Sequence, residues 1–223
     1  MTYRAVIFDL YQTLLYEQGT GAREKVIAEA QAAGITAEDW RRGWRATRED
    51  AMRGSIGSLR SRVRAALAIS GHGSAPDALV DRLAGLLLGR HMPTLYQDTR
   101  STLSELRARG YRLGLISNIE SDWRHWVAEL ELDTLLDTVV HSCEVGMGKP
   151  DPSIYLLCAE RLGVRPEECV FVDDQPIYLA GAKAVGMGTV YLDRPERWDP
   201  PEGQCESDAR VEGLGELVEW LGR

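Results

Sequence analysis

The chain has 223 residues, 27% of them Asp, Glu, Lys or Arg, and a formal net charge of −8 at pH 7. It is long enough for one large domain, or for a core with an insert. Its acidity, without a basic tract, argues against nucleic acid as a main partner, and no stretch is long and apolar enough to span a bilayer.

The first predicted element is a strand over Tyr3–Phe8, which runs straight into Asp9. A continuous apolar run reads as a buried parallel strand, and a carboxylate at its C-terminal end lies where open α/β sheets bind ligands. Alone, Asp9 reads equally as a turn-capping residue or as a nucleophile able to attack an electrophile. The run stops too early for a signal peptide.

Residues 16 to about 93 hold no convincing strand run. They read as helices over Ala22–Ala33, Ala37–Arg53, Leu59–Ser70 and Pro76–Arg90, punctuated by Gly34, Gly54, Gly57 and Gly71-His72-Gly73. Trp40 and Trp44 lie four apart on one helix face, which favours core packing.

From residue 94 onward, strand and helix signals alternate. Strands are expected over Tyr111–Ile116, Thr138–His141, Cys169–Val172, Thr189–Leu192 and Ala209–Val211. Helices are expected over Thr99–Arg109, Ser121–Leu130, Ser153–Leu162, Leu179–Val185 and Leu214–Leu221. The alternation predicts a parallel sheet covered by helices on both faces. Gly110, Gly163 and Gly186 each follow a helical run, as C-terminal caps do. Asp151-Pro152 opens another helix with a capping residue and an early Pro.

The polar residues at the strand ends carry the functional signal. Asp9 follows the first strand, Ser117-Asn118 the second, and Asp173-Asp174 a later one, with Lys149 in the loop Gly146-Met147-Gly148-Lys149-Pro150-Asp151-Pro152. In this order they resemble the haloacid dehalogenase superfamily of aspartate-nucleophile hydrolases. The stretches Gly148–Tyr155 and Phe171–Asp174 look closest to its helical-cap branch, which includes sugar-phosphate phosphatases and the phosphatase domain of soluble epoxide hydrolase.

That resemblance implies an α/β, Rossmann-like core over 1–15 and 94–223, with a helical cap over 16–93 that closes over the site. It makes Asp9 the nucleophile, with Ser117 and Lys149 as catalytic partners. Ser117 can donate to a phosphate oxygen, and Lys149 can neutralise one while pairing with Asp9. Thr13, Asn118 and Arg41 become substrate-binding candidates. Adjacent carboxylates repel unless a cation or donors offset them, and Mg²⁺ prefers such oxygens. By resemblance Asp9, the Tyr11 carbonyl and Asp174 hold Mg²⁺, with Asp173 in the outer shell. The implied activity is a Mg²⁺-dependent phosphatase of a small phosphorylated metabolite, acting as monomer or homodimer.

Three residues depart from the pattern. Tyr11 stands where most phosphatases of the superfamily have a second Asp for general acid/base work, Gln12 where Gly is usual, and Tyr178 where Asn or Asp is usual. A phenol with a pKa near 10 is poorly matched to neutral general-base work. Tyr at position 11 is also what the metal-independent 2-haloacid dehalogenases of the superfamily tend to have. They use a cap Arg, for which Arg41 is placed, although Arg42 and Arg45 beside it read equally as a basic solvated face. The Asp173-Asp174 pair counts against dehalogenation. A hydrolase-fold protein with little turnover is the third reading.

Cys143, Cys158, Cys169 and Cys205 have no metal-ligand spacing. A reduced, cytoplasmic protein is the simplest expectation. The four histidines show no ligand spacing either.

Overall fold

Ala5–Phe8, four apolar residues in a row, form strand β1, and all four are buried. The computed structural model describes residues 3–17, 21–89, 93–195, 201–204 and 206–222. The other strands are β2 (Leu15–Glu17), β3 (Pro93–Leu95), β4 (Arg112–Ser117), β5 (Thr138–His141), β6 (Cys169–Asp173), β7 (Gly188–Leu192) and β8 (Ala209–Val211). Six of them make one parallel sheet in the order β5-β4-β1-β6-β7-β8. The chain steps outward from β1 to β4 and β5, then returns to place β6 on the other side of β1. Ligand crevices in open α/β sheets form at such a reversal, beyond the carboxyl ends of the strands.

The helices are α1 (Ala22–Ala32), α2 (Ala37–Ala46), α3 (Arg48–Met52), α4 (Leu59–Ile69), α5 (Asp77–Leu88), α6 (Thr99–Ala108), α7 (Trp126–Glu129), α8 (Ser142–Val145), α9 (Pro152–Leu162), α10 (Pro176–Ala184) and α11 (Leu214–Leu221). Side chains alternate across the sheet, as strand geometry requires. Val6, Phe8, Val170 and Val172 pack with Leu103 and Leu106 of α6 and Leu214 and Leu217 of α11. Ala5, Ile7 and Phe171 pack with Ile154, Tyr155 and Cys158 of α9 and Leu179 of α10. Fully burying such a side chain contributes about 1.5–3 kcal/mol. Burial pushes the Cys169 thiol up to about 12 and raises that of Cys158, so both behave as inert small hydrophobes. Cys205 lies outside the described residues.

Helices α1 to α5 form the insert, and a two-stranded antiparallel ribbon flanks it, pairing Leu15 with Leu95 and Glu17 with Pro93. This corrects the expectation that 16–93 holds no strand. The expected helix over Ala37–Arg53 also breaks at Thr47. The Thr47 hydroxyl donates to the carbonyls of Gly43 (3.3 Å) and Trp44 (3.1 Å), and Arg62 Nη2 also donates to Trp44 (3.0 Å). Side-chain donors bonded to helix carbonyls in this way bend helices. Gly43 lets α2 touch α4, since a Cβ there would overlap the Ala66 carbonyl oxygen.

The expected helix over Ser121–Leu130 shrinks to the four residues of α7. The chain before it turns so that Asp122 caps α4, accepting from the Leu59 N–H at 2.6 Å. Helix α5 ends at Leu88, and Arg90 lies outside the described residues. Among the described residues no helix is long and apolar enough to cross a membrane.

Candidate active site

Parallel pairing brings three strand ends together. Asp9 follows β1, Ser117 closes β4 on one side of it, and Asp173-Asp174 close β6 on the other. The Asp9 N–H donates to the Val172 carbonyl at 3.0 Å, which fixes the start of the turn beside β6. Asp9 is 8% exposed, and its carboxylate shares one cation with Asp173: Lys149 Nζ donates at 2.6 Å both to Asp9 Oδ1 and to Asp173 Oδ2.

The Lys149 side chain is fully buried, between the rings of Phe171 (5.2 Å) and Tyr178 (4.7 Å). Burial opposes its charge, yet Asp173 and Asp9 outweigh it and hold the ammonium above the ordinary lysine pKa. Burial pushes Asp173 well up; Lys149 counters this, while Asp9 and Asp174 add to it. Tyr178, the unexpected residue of this motif, thus covers the ammonium with its ring. Burial also raises its phenol, against the pull of Lys149 and Arg48.

Asp9, Asp173 and Asp174 bring carboxylate oxygens within 4.8 Å of one another. Three carboxylates gather around one ammonium and offer oxygen ligands of the kind that suit a hard divalent cation. The donor set therefore fits such an ion. Asp173 is committed elsewhere, since Oδ2 holds Lys149 and Oδ1 accepts from the Gln175 N–H at 2.8 Å. Asp9, Asp174 and Tyr11 face a cavity of about 310 Å³, and Asp174 Oδ2 also accepts from Gln175 Nε2 at 2.9 Å.

That cavity lies between the sheet and the insert. Asp9, Ser117 and Asp174 line one side, and Trp44, Arg45, Arg48 and Met52 the other. Arg41 is exposed and not among the lining residues, so the structure brings Arg45 and Arg48 to the site in its place. Arg41 lies one helical turn before Arg45, whose Nε donates to its carbonyl at 3.3 Å, and its side chain stays in solvent short of the cavity. Trp40 is buried in the core, whereas Trp44, stacked on it at 5.5 Å, reaches the cavity.

Asn118 also lines the cavity, but both ends of its amide are used by the main chain of Lys149. Ser117 Oγ and Thr13 Oγ1 are buried without a protein partner, as are both amide atoms of Gln12. Thr13 is not among the lining residues, whereas Ser117 and Gln12 are. Gln12 has φ +63°, a left-handed conformation that costs a non-glycine residue about 1–3 kcal/mol.

Sequence reasoning missed two arginines. Arg194 donates to the Thr13 carbonyl from Nε (3.2 Å) and Nη2 (2.9 Å) while paired with Asp98, and so holds the loop that carries Asp9. Arg62, in α4, forms a buried ion pair with Glu120, three residues past Ser117, and its guanidinium lies 3.6 Å from the centre of the Trp44 ring. The signal for Arg62 was present: it lies inside the apolar stripe of Leu59, Val63, Ala66 and Leu67, where an unpaired cation is not tolerated.

A family model for haloacid dehalogenase-like hydrolases matches residues 3–186. The chain belongs to this family. Among its relatives, phosphoserine phosphatase of Thermus thermophilus is 33% identical over 147 residues, covering 65% of this chain and 58% of that enzyme. (S)-2-haloacid dehalogenase 1 of Pseudomonas sp. (strain CBS-3) is 28% identical over 197 residues, covering 86% and 85%. The solved structure of a 2-haloacid dehalogenase from Pseudomonas syringae pv. Tomato DC3000 superposes with a TM-score of 0.72 at 26% identity, over 100% of this chain and 99% of that one. The chain spans little more than half the length of the phosphoserine phosphatase and under half that of a Mycobacterium tuberculosis phosphatase it also matches. This haloacid dehalogenase-like hydrolase thus has both phosphatases and dehalogenases among its relatives.

Proposed function

We propose that this hydrolase is a Mg²⁺-dependent phosphatase of a small phosphorylated metabolite, with Asp9 as nucleophile. The observation that carries this reading is the acidic cluster of Asp9, Asp173 and Asp174 around the single ammonium of Lys149. A carboxylate that attacks an uncharged carbon has no use for the extra charge of Asp174. A phosphate ester held through a divalent cation does. Arg45 and Arg48 on the facing wall suit an anionic substrate.

Asp9 and Asp174 would hold the ion, with the Tyr11 carbonyl as a third ligand by family resemblance. When bound, Mg²⁺ supplies charge neutralisation for the phosphoryl group. Lys149 engages Asp9 Oδ1, which leaves Oδ2 to attack phosphorus. The new bond joins Oδ2 to phosphorus, the ester bond breaks with its electron pair on the leaving oxygen, and solvent water protonates that oxygen. Ser117 Oγ donates to a phosphoryl oxygen. Water then splits the aspartyl phosphate, which restores Asp9 and releases inorganic phosphate. Tyr11 supplies no carboxylate to protonate the leaving group, and a positioned general acid typically contributes about 10²–10⁴-fold. Aryl and acyl phosphates should therefore react faster than alkyl phosphates.

The test is a panel of p-nitrophenyl phosphate, sugar phosphates and 2-haloacids, each with Mg²⁺ and with chelator. Phosphate release that needs Mg²⁺ and is lost in Asp9→Asn supports the reading. Halide release in chelator would establish the second reading, a metal-independent dehalogenase. Tyr11 and the near full-length likeness to a 2-haloacid dehalogenase favour that alternative.

A further inference from the structure

Gln12 is held against its conformational preference, and its side-chain amide gains no hydrogen bond from the fold. Its φ of +63° is one that glycine adopts freely and glutamine does not. The turn is pinned from several sides. The Gln12 N–H donates to the Leu15 carbonyl at 2.6 Å, Arg194 grips the Thr13 carbonyl, and the Thr99 hydroxyl donates to Leu14 at 2.6 Å. The residue is 4% exposed, yet neither Oε1 nor Nε2 has a protein partner. Buried amides are almost always hydrogen-bonded, and one that is not calls for a partner from outside the protein. The residue lines the same cavity as Asp9, Ser117 and Asp174.

Strain at a buried, unsatisfied polar residue beside a nucleophile is the mark of a group kept for a ligand. Resting on the phosphatase reading, we propose that the Gln12 carboxamide is a specificity-determining contact. It offers one acceptor and one donor to hydroxyl groups on the substrate next to the scissile phosphate, and so selects polyol-type phosphates over plain alkyl phosphates. A hydroxyl both donates and accepts, so it can satisfy the two amide atoms together. An alkyl chain would leave both unsatisfied. Sites built to bond a substrate hydroxyl reject the analogue that lacks it for this reason.

The experiment compares kcat/KM for glycerol 3-phosphate and n-propyl phosphate, which have alkyl leaving groups of the same class, in wild type, Gln12→Gly and Gln12→Met. Gln12→Gly relieves the backbone; Gln12→Met keeps the volume and the strain but removes both hydrogen-bonding atoms. Wild type should prefer the glycerol ester by about 10–100-fold, the worth of one to two good hydrogen bonds in a site built for them. Both variants should lose most of that preference, mainly through the glycerol ester, and Gln12→Gly should melt no lower than wild type. A preference kept within about two-fold in both variants overturns the inference. So does a lower melting temperature in Gln12→Gly, because the side chain is then a structural filler. A wild type that hydrolyses neither ester nor p-nitrophenyl phosphate, with or without Mg²⁺, removes the phosphatase reading and the inference with it.

Discussion

Asn118 holds Lys149 by its main chain. Its Nδ2 donates to the Lys149 carbonyl and its Oδ1 accepts from the Lys149 N–H, each at 2.8 Å. The Lys149 side chain then continues past this clamp to Asp9 and Asp173. A single amide at the end of β4 therefore sets where the ammonium beside β1 and β6 stands.

Asn118→Ala should lower kcat at least ten-fold while costing about 1–3 kcal/mol of stability, the penalty for leaving two buried main-chain groups unsatisfied. Asn118→Asp keeps the acceptor for the N–H but turns a carboxylate oxygen toward the Lys149 carbonyl, so it should rescue little. Steady-state kinetics with urea unfolding checks both. Full activity in Asn118→Ala would show that the loop is held without it.

Lys149→Met should be more damaging to stability than a surface lysine change, by about 3–5 kcal/mol, because it leaves Asp9 and Asp173 buried without their cation. Adding Asp173→Asn should recover a substantial part, since it removes one of the stranded charges. A double-mutant cycle measures the coupling. Additive losses would mean that the ion pair contributes nothing beyond its separate halves. The raised pKa of Lys149 means the folded state holds this proton more tightly than the unfolded chain. Its contribution is fully present below the ordinary lysine value of 10.5 and fades only above it. The neutral range should therefore show no loss from this group.

Arg62 and Glu120 should behave as a unit. Arg62→Met alone strands Glu120 and should cost about 3–5 kcal/mol. Arg62→Met with Glu120→Gln should be far milder. The single change should also remove one of the two donors on the Trp44 carbonyl and alter the cavity wall beside Trp44, which a change in KM reports. Equal stability of the single and double variants would refute this coupling.

His141 supplies an acid-side prediction. Burial lowers its pKa below the ordinary 6.5, with only partial opposition from Glu144. The unfolded chain then binds the proton more readily than the folded one, so stability falls as the pH drops from 6.5 toward the folded value. His141→Gln should narrow the difference in Tm between about pH 7.5 and about pH 5.5, an interval that spans the ordinary histidine pKa. An undiminished difference would assign the acid sensitivity to other groups.

Most of the sheet was legible because its strands are short apolar runs bounded by polar residues. Asp9, Ser117 and Asp174 could be placed at strand ends from that pattern, and Lys149 from its loop. What was not legible depends on contacts between distant segments. The break at Thr47 is reinforced by Arg62 from another helix. The shortened helix at Trp126 needs Asp122 to turn away toward Leu59. Arg45 and Arg48 reach the cavity while Arg41, one turn earlier on the same side of α2, does not, and that depends on how the end of α2 and the start of α3 sit against the sheet. The β2–β3 ribbon is three residues per strand and carries too little periodicity to register.

Glu120 and Asp122 give the short stretch after Ser117 two attachments to α4, one to the Arg62 side chain and one to the Leu59 N–H. Gly54 adds a third seam nearby, where any Cβ would overlap the Cys143 carbonyl oxygen. The insert is thus not an interchangeable module. Transplanting helices from a relative between residues 17 and 93 would orphan a buried carboxylate three positions from Ser117, so a chimera that ignores Glu120 would damage the recipient's catalytic strand rather than retarget it. Substrate range in this chain is therefore better altered by changing cavity-facing side chains in place than by exchanging the whole helical segment.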